Sequence, residues 1–391
     1  MQKHIIQVAK STTKALRLSK AVLFLSIWIS VSQLYAAVLP EDRADFMYHS
    51  YEGGGIEITG PSILVRKQID DKFSFYGNYY VDNITGASID VVATASPYEE
   101  NRTEYKAGME YLRDQVTLKT SYTHSEENDF LAQSVNFDVS QEIFGGMSTV
   151  SLGYSYGWDE VGRSTDPTFS RDVDRQSYRV SLSQVLTKKL IAELAVETIT
   201  DEGFLNNPYR QVRYFDATAA RGFNYEFEVY PNTRTSTAVA LRAAYYLPYR
   251  AALHAEYRIY EDTWGIKASN IELKYTHPFK DKWIFDISLR GYEQTAADFY
   301  ADIFPGANAQ NFLARDKELS TFTGGSYGFG VSYEFTKEWG FIDKGTFNFS
   351  FNHLEYEYEN FRDVTAGGAP GSEPLYFLDA DIVQMYISLW Y

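Results

Sequence analysis

The sequence predicts an all-β fold, a transmembrane, antiparallel, up-and-down β-barrel of about sixteen strands, and three observations carry that prediction. Apolar residues alternate with polar ones in stretches of about ten, short turns alternate with long loops, and the final residues form an alternating aromatic stretch.

The alternation runs through the chain. Val116, Leu118, Thr120 and Tyr122 interleave with Thr117, Lys119 and Ser121; Val150, Leu152, Tyr154 and Tyr156 interleave with Ser151, Gly153 and Ser155. The same period-two pattern recurs at Val239 to Leu247, Trp283 to Arg290 and Phe347 to Asn352. One face of each stretch suits lipid and the other suits water. Because the two faces cancel in an average, a mean hydropathy of −0.33 is compatible with a membrane chain. The aromatic load, 32 Tyr and 26 Phe against 6 Trp, fits the same reading.

Short turns are expected at Asp70-Asp71, Arg113-Asp114, Gly145-Gly146, Lys188-Lys189, Leu247-Pro248-Tyr249 and Lys280-Asp281. Long segments fall near 86–101, 159–173, 202–234, 297–318 and 359–375. Short turns on one rim and long loops on the other are the asymmetry of a membrane barrel. From Ile56 onward about fifteen strands follow, and both termini on one side require an even number. Phe46 to Tyr51, followed by Gly53-Gly54-Gly55, supplies the missing strand and makes sixteen. Fourteen is the alternative, with the N-terminal segment tucked into the lumen.

Residues 1–36 read as a cleaved signal peptide, with Lys3, Lys10, Lys14, Arg17 and Lys20 ahead of the apolar run Ala21 to Ile29 and a small residue at Ala36. That run is too short for a spanning helix. The barrel then occupies residues 37–391, and the expected location is a bacterial outer membrane. The signal carries five basic and no acidic residues, so the remainder is more negative than the −16 of the whole chain. Such a balance excludes nucleic acid as a partner. With no cysteine, disulfides, a thiol nucleophile and a thiolate metal site are excluded. In Val383 to Tyr391 every odd position is apolar or aromatic, which resembles the terminal signature that outer-membrane barrels present to their assembly machinery. The lipid bilayer and that machinery are the expected partners.

Several strings carry a family resemblance: Ser125 to Asp129, Gly157 to Gly162, Asp201 to Arg210, Tyr246 to His254, and Gln294 to Tyr300 running on to Asn311 to Leu319. The chain resembles an uncharacterised family of predicted Gram-negative outer-membrane proteins, a domain of unknown function. The resemblance implies a barrel and no established substrate. It also implies a periplasmic lipoprotein or redox protein as a candidate partner.

If the alternation is right, Arg242, His254, Glu256, Arg258, Glu272, Lys274, Asp286 and Arg290 face the lumen on neighbouring strands. They read either as the lining of a path for hydrophilic solutes or as ion pairs that satisfy interior charge. A second set lies in the long loops: Asp201, Glu202, Asn206, Asn207, Arg210 and Arg213, with Asp298, Asp302, Asn311, Arg315 and Asp316. These would either build a folded-in constriction or serve as ordinary loop residues, and no regular calcium-loop spacing is present. His49, His124, His254, His277 and His353 show no metal-ligand spacing; His277 is expected at a turn and His353 at a strand end. A hydrolase would need a Ser, His and Asp or Asn constellation, and no Gly-x-Ser-x-Gly elbow occurs. The leading expectation is a porin-like channel for small hydrophilic solutes or ions, without cofactor or metal and without enzymatic activity. The alternative is a non-conducting anchor or scaffold for the lipoprotein or redox partner, and an outer-membrane hydrolase comes third.

Overall fold

The computed structural model describes residues 38–86, 98–335 and 340–391, so the expected signal peptide and its cleavage site lie outside the described residues. The wall begins with β1 (Arg43–Gly53), β2 (Ile56–Ile69), β3 (Phe73–Gly86), β4 (Tyr98–Arg113), β5 (Val116–Glu126), β6 (Phe130–Ile143), β7 (Ser148–Val161), β8 (Arg171–Thr187) and β9 (Leu190–Gly203). A hairpin, β10 (Gln211–Phe215) and β11 (Phe223–Phe227), then leaves the wall. The wall resumes with β12 (Thr233–Tyr246), β13 (Ala252–Asp262), β14 (Lys267–Phe279), β15 (Trp283–Gln294), β16 (Phe322–Phe335), β17 (Lys344–Arg362) and β18 (Leu375–Trp390).

Every wall strand pairs antiparallel with both neighbours, and β1 closes the circle by pairing with β2 and β18. This is a closed barrel of sixteen strands. The N-terminal strand stands in the wall and not in the lumen, so the fourteen-strand alternative is excluded. Closure satisfies the backbone groups that a sheet edge would leave bare in lipid.

Register carries the sequence alternation into three dimensions. Met385 faces Tyr48 and Phe349, Ile63 faces Phe46 and Tyr79, and Tyr79 faces Tyr105, so their side chains share the outer face. Leu152, Val180, Leu194, Leu241, Ile271 and Leu289 continue it, each with about half of its surface open to the surroundings. A continuous exposed apolar belt of this kind is intelligible only against lipid. The short turns on the opposite rim follow local chemistry: Asp70 and Asp71 both adopt positive φ, 55° and 52°, the conformation of a tight hairpin turn.

The wall departs from the sequence reading in three ways. Strands run further than expected on the long-loop side, so the connections there narrow to 162–170 and 363–374. The extensions rise beyond the apolar belt with polar residues outward, and His353 pairs with Asp381 at 2.7 Å within β17 and β18. His353 is therefore inside a strand and not at its end. His277 likewise lies within β14, its Nδ1 2.8 Å from the Tyr275 hydroxyl, and not at a turn. Finally, two connections on the long-loop rim, 127–129 and 263–266, are short, as is the expected glycine turn at Gly54-Gly55. Most of the expected 86–101 loop, residues 87–97, lies outside the described residues.

Candidate functional site: lumen ladder and outer plug

The inward positions of adjacent strands form a ladder of alternating charge. Arg242 on β12 lies 2.7 Å from Glu193 on β9 and 2.6 Å from Glu256 on β13. Lys274 meets Asp286 at 3.4 Å, Arg258 approaches Glu197 at 3.7 Å, and Arg179 meets Asp138 at 3.1 Å. On the far side Arg66 and Lys119 both hold Glu110. His254 pairs in register with Lys274, and Glu272 with both Glu256 and Arg290. All eight lumen residues expected from the alternation therefore stand on one curved surface. Next to the ladder, beyond Asp286 and Arg290, the wall continues in small and neutral side chains, including Ser326, Gly328, Gly330, Asn348 and Ser350. Interior charge is thus mixed in sign and largely matched, as a lumen with restricted water requires.

The outer mouth is filled. The β10–β11 hairpin and the segment after it bridge to the connection between β15 and β16 through Tyr214 with Phe304 and Val229 with Leu313. Val212, Phe304 and Leu313 form a small buried core between them. A larger one joins Tyr230, Ala297, Phe299, Ala314 and Leu319 to Trp264 and Ile266 at the rim. Trp264 is placed by its own turn: Asp262 accepts the N–H groups of Trp264 and Ile266 at 2.9 and 3.0 Å, and Gly265 takes φ 88°. A third cluster, Phe322, Tyr358, Phe361, Leu378 and Ala380, lies on the same rim at the ends of β16, β17 and β18.

Ionic contacts lock this plug. The Arg213 side chain is fully buried; it donates to Asp302 and to Glu373, with Nη2 3.1 Å from Glu373 Oε2. Arg315 donates through Nη2 to the other Asp302 oxygen at 3.0 Å and to the carbonyl of Arg362 at 2.8 Å. The Arg362 N–H closes on Asp302 at 3.1 Å, and its guanidinium donates to the Glu373 carbonyl at 2.6 Å. Three connections, β9 to β12, β15 to β16 and β17 to β18, meet at two guanidiniums and two carboxylates. Burial pushes the Glu373 carboxyl up, but the Arg213 guanidinium and the Gly371 N–H reverse this and hold it below its ordinary value. Burial likewise works against the charge of Arg213, and Glu373 and Asp302 outweigh it, so the guanidinium holds its proton more tightly than usual.

The loop residues singled out in the sequence divide accordingly. Asp302, Arg213 and Arg315 form the centre, and Arg210 pairs with Asp316 beside them. Asn206 staples the plug by donating to the Glu228 carbonyl at 2.7 Å and accepting the Tyr230 N–H. Asp201 faces the lumen, 2.6 Å from Arg175. Three do not belong to the constriction. Glu202 is exposed on the strand face opposite to Asp201, Asn207 only accepts the Tyr209 N–H two residues on, and Asp298 is exposed on the outer surface beside Gly265. Glu373, Glu228 and Arg362 complete the lock and carry no sequence signal, because Glu373 and Arg213 are 160 residues apart and meet only through the closed wall.

Beneath the plug lies a cavity of about 760 Å³. It reaches across the bore from Tyr51 on β1 to Arg234 on β12, and the short helical turn Lys317–Leu319 hangs over it.

Residues 163–342 match a family described as a protein of unknown function (DUF3570), in agreement with the resemblance, since the strings at 201–210, 246–254 and 294–319 fall inside that span. No curated protein matches the chain. Among solved structures, the barrel is similar to CdiB from Acinetobacter baumannii, with 9% identity, 89% of this chain and 60% of that chain covered, and a TM-score of 0.46. It is similar to a bacterial polysaccharide outer membrane secretin, with 8% identity, 90% and 100% coverage and a TM-score of 0.47. It is also similar to OmpT of Vibrio cholerae, with 10% identity, 91% and 100% coverage and a TM-score of 0.41. The chain thus spans 60% of the length of CdiB. These likenesses concern barrel shape and say nothing of what this chain passes or binds.

Proposed function

We propose that this chain is an outer-membrane channel for small hydrophilic solutes or ions, closed at its outer mouth by a plug made from its own loops. The observation that carries the reading is the combination of a charged lumen ladder with a plug held by separable contacts. The ladder centred on Arg242 lines a bore wide enough in a sixteen-stranded barrel for an aqueous path. The plug is tied to the rim through side chains and a few backbone bonds such as Asp298 N–H to the Trp264 carbonyl, and it does not extend the barrel sheet, since β10 and β11 form a sheet of their own. Displacing it leaves every wall pairing intact. The exposed apolar belt supports placement in a membrane, and the outer membrane is where such a closed barrel would reside.

The buried lock at Arg213, Asp302, Glu373 and Arg315 gives specific support to a second reading, a permanently closed barrel that anchors a periplasmic lipoprotein or redox partner. Planar-bilayer recordings separate the two. The chain without residues 1–36 is compared with a version in which residues 206–230 are replaced by a short Gly-Ser link. The channel reading expects brief, rare openings from the first and steady conductance from the second. A folded, inserted, loop-replaced barrel that stays silent would refute it and favour the anchor.

A further inference from the structure

We infer that the cavity under the plug is a binding site for a small monoanion with an apolar or aromatic body, an aromatic or medium-chain carboxylate. This rests on the channel reading only in that such a molecule would be the solute; the site itself stands on its own geometry.

The cavity has two unlike sides. One is aromatic and aliphatic: Phe322, Tyr358 and Leu378 are buried there, and Tyr51, Tyr292 and Tyr356 pack against them. Phe322 lies 5.6 Å from Tyr292 and 5.1 Å from Tyr358, ring centre to ring centre, so the side is a continuous aromatic surface. The other side is charged, and most of its charges are matched. Arg175 is held by Asp201, Arg234 by Asp262, and Asp316 by Arg210. In the ceiling Lys317 and Glu318 lie 3.8 Å apart.

Arg290 is the exception. It lines the cavity from β15, is exposed to it, and makes no ion pair among the described residues, although Glu272 is its register partner. Its guanidinium lies 5.8 Å from the ring centre of Tyr292, where the charge meets the aromatic side. An unmatched cation at the edge of an apolar surface is complemented by a molecule with one carboxylate and an apolar remainder. The carboxylate takes the guanidinium fork, and the remainder displaces water from the rings. A neutral sugar would leave Arg290 unmatched, and a cation would be repelled. The volume is that of an ordinary small-molecule site.

The test titrates the detergent-solubilised barrel, residues 37–391, with phenylbutyrate, phenylbutanol and phenylbutylamine, read by calorimetry. The acid is expected to bind about tenfold or more tightly than the alcohol, as a charge-assisted hydrogen bond confers, and the amine not to bind. Arg290→Gln should bring the acid down to the alcohol, and Arg290→Lys should keep part of the preference. Equal binding of acid and alcohol by the unaltered barrel would overturn the inference, and this comparison needs no variant to fold. Conductance is recorded on the same preparation. A barrel that conducts and binds none of the three probes removes the site and leaves the channel; one that binds the acid with the loop-replaced form silent keeps the site and removes the channel.

Discussion

Replacing Asp302 with alanine should open the plug without unfolding the barrel. The Asp302 carboxylate receives Arg213 and Arg315 of the plug and, from the wall, only the Arg362 N–H among the described residues. Its removal leaves Glu373 for Arg213, while Arg315, with 5% of its side chain exposed, keeps two backbone carbonyls and the face of Phe361 but no counter-charge among the described residues. Deleting one partner of a buried ion pair costs about 3–5 kcal/mol, because the other charge stays desolvated. The wall is held by separate pairings, so that cost falls on plug closure. At about 1.4 kcal/mol per tenfold, the ratio of open to closed plug rises by roughly two to four orders of magnitude. Protease cleavage within residues 204–232 reports that ratio when opening is fast relative to cutting. Asp302→Ala should be cut faster by a factor of that size, and its open probability in a bilayer should rise in step. A folded Asp302→Ala barrel with wild-type cleavage and conductance would show that the ionic lock does not hold the plug, and that the apolar clusters hold it alone.

Other expectations follow from the same geometry. Arg242→Glu places three carboxylates in contact in the lumen, so in the Asp302→Ala background the reversal potential in a salt gradient should move toward cation selectivity; no movement would take Arg242 off the conducting path. Leu241→Arg puts a charge on the outer belt and should destabilise folding into lipid vesicles by about 2–4 kcal/mol if the site lies near the bilayer midplane, seen as a lowered urea midpoint. An unchanged midpoint would mean that Leu241 does not face lipid. Glu373 is held below its ordinary value of 4.5, so its contribution to plug closure is complete above that pH and is lost as pH falls through the lower, folded value. Loop cleavage by an acid-active protease should therefore accelerate below about pH 4.5, and Glu373→Gln should flatten that dependence while raising cleavage at neutral pH. A Glu373→Gln barrel with an unaltered pH profile would assign the acid sensitivity to another group.

The wall was legible because its information is local. A strand alternates every second residue, so Leu241 and Arg242 announce opposite faces without knowledge of their neighbours, and a turn such as Asp70-Asp71 announces itself through its own backbone preference. Parity then placed β1 in the wall before any pairing was visible. The limits were local too: His353 reads as a strand end by polarity, yet β17 runs on past it to Arg362, and His353 pairs with Asp381 of β18 on the outward face above the belt. Asn207 and Asp298 look like Asp302 in the sequence, with the same polar character in the same kind of loop, and only packing separates a surface turn from a buried lock.

The sequence by itself determined the barrel, its even strand count and the facing of the charged lumen residues, since these depend on period-two patterning and on the requirement that a membrane sheet close; the pairing of β1 with β2 and β18 then decided sixteen over fourteen. Only the tertiary structure decided that the long loops fold over the mouth, that Arg213 meets Glu373, and that Arg290 has no counter-charge among the described residues and lies beside an aromatic wall. Those facts depend on which connections the circular wall brings face to face, and contacts between residues 160 apart leave no periodic trace along the chain.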